Sequence, residues 1–210
     1  MWVDHNAATG RVRLDAEAFD DLVSAARGDR GPGGEVADLV ESGAVDAALS
    51  AVREPSVRLR LGVAGARVVQ RHDAWVTPQV AALRLAVNAD EYQLVTAEPQ
   101  FLAAGLARVV RLGPRKVGAR VARSVETSLP EDWFHDDTMR RSSALRTVDA
   151  SFAWTVSVTW RGGTGATTVV DGPLGPFLLV GSDVVELLPV SPTQLWRRLT
   201  TALPPEGAEG

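Results

Sequence analysis

The sequence contains no cysteine, only one lysine and one tyrosine, and no long uninterrupted apolar run. Without cysteine the chain can form no disulfide framework, no iron–sulfur cluster, no thiolate zinc site and no cysteine nucleophile. No apolar stretch approaches the roughly 18 residues of a membrane-spanning helix, and the first residues show neither the basic nor the apolar region of a signal peptide. We therefore expect a cytoplasmic protein that does not engage membranes.

The charge balance excludes a further class. The 210 residues include 22 basic and 26 acidic side chains, which give a formal net charge of −4. A dedicated nucleic-acid binder carries an excess of basic residues to neutralise phosphates, so we expect no nucleic-acid partner. Apolar residues make up 45% of the chain, which is enough for a packed core at this length, and we predict a single domain over residues 1–210.

The first quarter of the chain has the apolar spacing of helices. This spacing predicts a helical N-terminal segment over residues 15–54, which Asp15 can cap and which is interrupted at Gly43. The glycine-rich residues 28–34 lack the Gly-Lys-Ser/Thr ending of a phosphate-binding loop. We interpret them as a connector between two helices.

From Val57 onward the apolar period changes from near 3.6 to 2, which is typical of half-buried strands. Four strand patterns are followed by a helix that begins at Pro99. After a connector over residues 114–149, the same order of four strands and one helix returns. We predict a first repeat over about residues 57–113 and a second over about 150–204.

The helix that closes each repeat has an apolar face. In the first repeat this face consists of Phe101, Leu102, Leu106, Val109 and Val110, and the helix is expected to end at Gly113. In the second repeat the helix carries Leu195, Trp196, Leu199 and Leu203.

The second repeat lies 93 positions after the first, with seven identities over 26 positions. The identical pairs are Leu85 and Leu178, Val87 and Val180, Asp90 and Asp183, Leu94 and Leu187, Pro99 and Pro192, Leu102 and Leu195, and Leu106 and Leu199. We interpret them as an internal duplication; the alternative is that any meander followed by a helix reuses the same turn and cap residues. The predicted fold class is α+β, with internally duplicated antiparallel β-meander plus helix units packed about a pseudo-twofold axis.

A run of basic residues is the first candidate binding element. Between Leu106 and Val125 the chain carries six basic residues and no acid. These are Arg108, Arg111, Arg115, Lys116, Arg120 and Arg123. If the helix continues that far, the first three share one helical flank. The run is either a solvated face or a surface that recognises an acidic segment of a partner protein.

Trp133 and Phe134 form the second candidate, two aromatic residues inside the acidic segment 130–137. Aromatic side chains in a polar, irregular segment resemble an interface anchor within a charged rim. The alternative is that Trp133 folds back onto the core. A hard-cation site would need oxygen ligands at a spacing like that of the EF-hand, which this segment lacks.

Two of the three histidines are followed directly by a carboxylate, His72 by Asp73 and His135 by Asp136, and such pairs can act as bases or metal ligands. Neighbouring residues of a strand point to opposite faces, so His72 and Asp73 are not expected to converge. The run 161–165 lies between two strand patterns and predicts a hairpin turn rather than a nucleotide loop. No serine-nucleophile motif occurs, and we predict no catalytic residue, no metal site and no cofactor.

The order of these elements resembles the EspG-type secretion-associated proteins of ESX (type VII) secretion systems in high-GC Gram-positive bacteria. The local likeness lies in Val12–Leu22, Leu39–Asp46 and Leu187–Trp196, and it covers most of residues 10–204. The resemblance implies a duplicated sheet-plus-helix fold with quasi-twofold symmetry. It also implies a non-enzymatic cytosolic chaperone that binds helical secretion substrates of the PE–PPE or WXG100-like sort. This chain is short for the family between the two halves, and no binding residue transfers by position.

The sequence and the resemblance together lead to one function and two alternatives. We predict a chaperone or adaptor that keeps helical type VII secretion substrates soluble for export, with Trp133, Phe134 and the stretch from Arg108 to Arg123 as contacts. One alternative is a small-molecule-binding or hydrolytic enzyme that uses His72, His135 and neighbouring carboxylates, which would have to converge in a pocket. The other is a self-associating module joined through exposed strand edges.

Overall fold

The computed structural model of the chain describes residues 1–114, 120–181 and 185–201. It is a mixed helix-and-strand protein with a large antiparallel sheet. The strands are Val3–Asn6 (β1), Arg11–Asp15 (β2), Val57–Gly65 (β3), Val69–Val76 (β4), Ala81–Ala86 (β5), Glu91–Ala97 (β6), Arg123–Val125 (β7), Phe152–Trp160 (β8), Gly163–Gly172 (β9), Gly175–Val180 (β10) and Val185–Pro189 (β11). The helices are Ala16–Arg27 (α1), Gly34–Glu41 (α2), Asp46–Arg53 (α3), Leu102–Val109 (α4), Leu129–Asp132 (α5), Thr138–Thr147 (α6) and Pro192–Thr201 (α7), and a single 3₁₀ turn covers Pro99–Phe101.

The chain divides into two compact units. The first consists of Met1–Leu59, His72–Leu102 and Thr159–Gly163, and the second of Arg60–Arg71, Ala103–Val158 and the chain from Thr164 onward. The first unit contains the strand order β1-β2-β6-β5-β4, and the second contains β8-β9-β10-β11-β7. The single domain over residues 1–210 stays a prediction.

In the first unit the helices α1 and α3 pack on the strands β2, β5 and β6. Asp15 begins α1 by accepting the Ala18 amide at 2.8 Å, and Gly28, at φ +76°, ends it. The resulting core is aliphatic with an aromatic centre, in which the rings of Phe19 and Trp75 lie 6.0 Å apart. Its other buried members are Val12, Leu14, Ala18, Leu22, Ala26, Val36, Leu39, Val45, Ala48, Leu49, Ala51, Val52, Ala82 and Leu94.

In the second unit helix α6 and the residue that follows α5 contribute to the core. Trp133 is fully buried. Its cluster also contains Ala144, Leu145, Val148, Ala153, Val170, Phe177 and Leu187. Helix α6 contributes few apolar side chains, and a charged one is buried beside them, since Arg141 is only 2% exposed.

The guanidinium of Arg141 finds its hydrogen-bond acceptors mainly among backbone carbonyls. It donates to the carbonyls of Gly65, Ala66, His135 and Asp136 and to the hydroxyl of Thr138. Among the described residues no carboxylate pairs with it. The contacts with Gly65 and Ala66 fasten α6 to the turn between β3 and β4, and a buried cation without hydrogen bonds would be strongly unfavourable.

Within the described residues, strands and helices occur at most of the positions where the sequence patterns predicted them, while their interpretation as two repeats stays a prediction. The strands β3 to β6 and β8 to β11 lie where the period-2 patterns indicated, and the N-terminal segment is helical with a break around Gly43, which has φ +72°. The glycine-rich run at 161–165 includes the turn between β8 and β9, as expected. The connector, in contrast, is more than a linker because it contains β7, α5 and α6.

Two predictions about the helices that close the repeats were wrong. Helix α4 ends at Val109 rather than near Gly113. Phe101 and Trp196, assigned to apolar helix faces, are 57% and 41% exposed. The pattern failed because Phe101 belongs to the 3₁₀ turn, which has a different angular spacing from the helix that follows. Leu203 lies outside the described residues.

The pairing registers of the two hairpins differ. Leu85 lies opposite Gln93 in the β5–β6 ladder. At an offset of 93, Leu178 would lie opposite Glu186, but it lies opposite Leu188. A shift of two residues keeps the same side chains on the same face, yet it means that the leucine identities in both strands cannot all be structurally equivalent. Asp183 lies outside the described residues, and the duplication and its pseudo-twofold axis stay predictions.

Along the described residues, none of the helices combines the length and the apolar character that crossing a lipid bilayer requires.

Candidate partner-binding surface

The end of α4 presents two of the predicted arginines to solvent. Arg108 lies in the last turn of the helix, and Arg111 follows its end; both are exposed. Among the described residues no carboxylate forms an ion pair with either guanidinium. Both charges are therefore available to an acidic group from outside the chain, and a helix C-terminus is a favourable place for cations.

Arg111 occupies a backbone position that favours glycine. The Arg111 amide donates to the Arg108 carbonyl at 3.1 Å, and the Leu112 amide donates to the Ala107 carbonyl at 2.8 Å. This pair of bonds is the Schellman arrangement, which places the residue after the helix in the left-handed region. Arg111 has φ 54°, at a position where a side chain costs about 1 kcal/mol relative to glycine.

The Arg111 side chain has one aromatic neighbour. Its guanidinium lies 6.0 Å from the centre of the Phe152 ring, at the outer limit of a cation–π contact. This weak, exposed contact offsets little of the unfavourable backbone conformation of Arg111. An exposed arginine kept at a glycine position is a candidate for a function of its side chain.

The helical flank predicted for the arginines does not form. It required α4 to continue past Arg111, whereas the helix ends at Val109 and the left-handed residue redirects the chain. Arg115 lies outside the described residues. The prediction assumed that helical periodicity persists without a stop signal, because the usual glycine is absent from the position after the helix.

Arg120 and Arg123 are held inside the second unit. Arg120 donates to the carbonyls of Pro176 and Val190. Arg123 donates to the Val148 carbonyl and its guanidinium lies 3.6 Å from the Asp149 carboxylate. Both guanidinium groups lie over the same ring, Phe177, at 5.5 and 4.9 Å from its centre. These contacts fasten the chain around β7 to β10 and β11 and leave both side chains only partly accessible.

The cavity beside Arg123 is too small for an organic ligand. It measures about 10 Å³ and is lined by Arg123, Val148, Asp149, Ala150, Val170, Asp171, Gly172, Leu174, Gly175 and Phe177. That volume accommodates about one water molecule. Neither His72 nor His135 lines it.

The two neighbouring aromatics of the acidic segment, Trp133 and Phe134, differ in burial. Trp133 is fully buried in the core of the second unit, as the fold-back alternative describes. Phe134 is half-buried and packs against the same core, and its ring lies 3.5 Å from where a Cβ on Gly62 would be. Phe134 keeps some exposed surface for a partner, whereas a contact by Trp133 would require the segment to open; both contacts stay predictions.

The two candidate histidines lie in different environments. His72, in β4 of the first unit, is 6% exposed, and its burial lowers its pKa to about 4. His135, in the second unit, is half-buried, and its Nδ1 accepts the Asp137 amide at 3.0 Å. Throughout the described ranges, no group of three or more His, Asp or Glu side chains is placed to hold a metal ion.

Two exposed aromatics were missed as surface candidates. Phe101 and Trp196 each follow a helix-initiating proline within a few residues, and both expose a large apolar area. For Phe101 the available signal was its position two residues after Pro99, because a 3₁₀ turn at the start of a helix has a different angular spacing from the helix that follows.

Comparison with solved structures gives the fold. The structure matches the type VII secretion system chaperone EspG5 of Mycobacterium tuberculosis, solved in complex with a PE25–PPE41 dimer. The fold is EspG-like. The TM-score with EspG5 is 0.57, with 12% sequence identity, and the match covers 92% of this chain and 95% of EspG5.

Sequence comparison adds nothing to this likeness. No family model matches the chain, and no curated protein matches it. At 12% identity the likeness to EspG5 concerns the fold, and side-chain roles have to be argued from this chain itself.

Proposed function

We propose that this protein is a non-enzymatic cytoplasmic chaperone or adaptor that binds helical type VII secretion substrates and keeps them soluble for export. The observation that carries the proposal is the EspG-like fold over nearly the whole chain, because EspG5 is a chaperone solved in complex with a PE25–PPE41 dimer. The partner proposed here is a helical substrate of the PE–PPE or WXG100-like sort. The internal duplication and its pseudo-twofold symmetry belong to the same proposal.

The side chains proposed for this contact are Arg108 and Arg111, with Phe134 as an apolar contact. The two arginines are exposed and have no carboxylate partner among the described residues, so their natural counterpart is an acidic segment of the substrate. Arg120 and Arg123 support the surface from within the unit instead, because their guanidinium groups are engaged by carbonyls and by Phe177.

The first experiment measures binding of the purified chain to a PE–PPE heterodimer from the same host by calorimetry and by co-purification. A soluble complex is expected. The absence of a complex with PE–PPE and with WXG100-like proteins alike would contradict the proposal.

The second experiment separates the side chain of Arg111 from its backbone. Arg111→Gly removes the charge and relieves the left-handed conformation, so we expect unchanged or higher stability with binding weakened about tenfold. Arg108→Glu should weaken binding at least as much. Arg146→Glu, the same charge change at an exposed site on α6, is the matched control and should leave binding unchanged.

A further inference from the structure

The side chain of His72 connects two neighbouring strands where their paired region ends. The β4–β5 ladder includes the pairs from Asp73 with Arg84 to Val76 with Ala81. Beyond it, the Ala86 amide donates to Nδ1 of His72 at 3.0 Å. The imidazole therefore holds the last residue of β5 against β4.

This contact fixes the protonation state of the ring. An Nδ1 that accepts a hydrogen bond carries no proton, so the neutral ring has its hydrogen on Nε2. The ring is buried, and among the described residues Nε2 has no hydrogen-bond partner. A second proton on the ring would have to go onto Nδ1, where it would oppose the Ala86 amide hydrogen.

The charges around the ring do not compensate a cation there. Asp73, on the same strand, favours the protonated form of the ring, whereas Arg84, on β5, disfavours it. Asp73 and Arg84 also pair with each other. An imidazolium at position 72 would therefore be buried, without a dedicated counter-ion, and facing an amide donor.

We propose that His72 is an acid-sensitive latch, which holds the end of β5 through the Ala86 amide when neutral and releases it when protonated. Release would loosen the chain that follows Ala86, in which the Val87 amide donates to the Glu91 carbonyl to close the β5–β6 turn. The burial of the ring is consistent with this device, because it lowers the pKa of His72 to about 4.

The first test needs no variant. Nitrogen-15 NMR of the imidazoles in the wild-type chain at neutral pH reports which ring nitrogen carries the hydrogen. The proposal requires hydrogen on Nε2 of His72, and hydrogen on Nδ1 would overturn it.

The second test follows amide hydrogen exchange at pH 6.5 and pH 4.0, with rates corrected for the intrinsic effect of pH. We expect protection of the Ala86 amide to fall at least tenfold, while Leu83, within the β4–β5 ladder, keeps its protection. Equal loss at both amides would indicate general unfolding and would overturn the latch, as would constant protection at Ala86.

A matched pair of variants completes the experiment. In His72→Asn the amide oxygen can accept from Ala86 but cannot be protonated, so the acid-dependent loss at Ala86 should disappear. His135→Asn is the control, since His135 also accepts a backbone amide through Nδ1 but lies in the second unit. If His72→Asn keeps the wild-type loss, another group controls the opening.

Discussion

The two units share a sequence of elements but achieve burial by different means. In each, a strand precedes helices and a meander and pairs with the last strand of that meander, β2 with β6 and β7 with β11. In the first unit the intervening helices α1 to α3 contribute a broad apolar face. In the second, α6 contributes mainly Ala144 and Leu145, and hydrogen bonds from Arg141 and Ser142 take over part of the attachment.

A common order of elements therefore does not impose a common chemistry of attachment. An apolar helix face tolerates single substitutions of similar volume, because many small contacts share the energy. A helix held by one buried guanidinium depends on a few directional bonds, and losing them leaves several carbonyls unsatisfied. The second unit should therefore be more sensitive to polar substitutions than the first.

The largest effect is expected from Arg141→Met. The substitution keeps an unbranched apolar stem but removes the guanidinium that donates to Gly65, Ala66, His135 and Asp136, and we expect a loss of about 4 kcal/mol in the free energy of unfolding. Urea denaturation measures it. Arg146→Met, an exposed arginine on the same helix, is the control and should change stability by less than about 0.5 kcal/mol.

A result within 1 kcal/mol of wild type for Arg141→Met would mean that apolar packing holds α6 after all. The contrast drawn between the two units would then lose its basis.

The second effect concerns a close backbone approach in the second unit. A Cβ on Gly172 would lie 2.1 Å from the Asp149 carbonyl oxygen, so Gly172→Ala must displace the segment between α6 and β8. We expect a loss of about 3 kcal/mol, measured by thermal and urea unfolding.

Gly105→Ala is the matched comparison, because nothing lies within 4 Å of the Cβ built there in α4. It should raise stability by up to about 1 kcal/mol. Two alanines with the same effect would show that close packing at Gly172 does not constrain the second unit.

The third prediction compares the buried histidine of the first unit with the half-buried one of the second. The fold lowers the pKa of His72 from 6.5 to about 4, so the unfolded chain binds the proton more readily. The stabilising contribution is complete above about pH 6.5 and is lost as the pH falls toward 4. Relative to His72→Asn, the wild type should lose about 2–3 kcal/mol between pH 7 and 4.5 in urea titrations.

The same titration on His135→Asn should follow the wild-type curve. A variant at position 135 that removes the acid sensitivity would place the titrating group in the second unit instead.

Periodicity was sufficient to predict the strands β3 to β6 and β8 to β11 and the helices α1 to α4 and α7, but not the contacts that attach them. The alternation from Val57 and the prolines that begin the closing helices act locally, so they could be recognised without coordinates. The burial of Arg141 could not, because its partners Gly65 and Ala66 lie 76 and 75 residues away and are backbone carbonyls, which leave no trace in side-chain composition. Helices α5 and α6 were missed for a related reason, since α6 has almost no apolar period.

The exposure of the candidate arginines could be predicted in part, while their role in binding a partner stays a prediction. A run of arginines without acids indicates available charge, and Arg108 and Arg111 are indeed exposed. Sequence could not separate them from Arg120 and Arg123, because the internal partners Pro176, Val190 and Val148 become neighbours only through the fold.

Each unit has a helix whose N-terminus is capped by an aspartate, and the smallest effects are expected at these two caps. Asp15 caps α1 by accepting the Ala18 amide, and Asp137 caps α6 by accepting the Arg140 amide, each at 2.8 Å. Asp15→Ala should cost about 1 kcal/mol and Asp15→Asn much less, because asparagine keeps the acceptor. Circular dichroism during urea unfolding measures both.

The hydrogen bond from the Arg140 amide lowers the pKa of Asp137. For Asp15, burial acts to raise the pKa, but the hydrogen bond from the Ala18 amide and the charge of the N-terminus outweigh burial, so that the pKa of Asp15 is also lowered. Each carboxylate therefore stabilises the fold above its unfolded pKa, and this contribution is lost as the pH falls through the lower folded value. Since α6 has so little apolar face, Asp137→Ala should melt its first turn more readily than Asp15→Ala melts that of α1. Equal fraying of both turns in amide exchange would show that α6 is held as firmly as the apolar helices of the first unit.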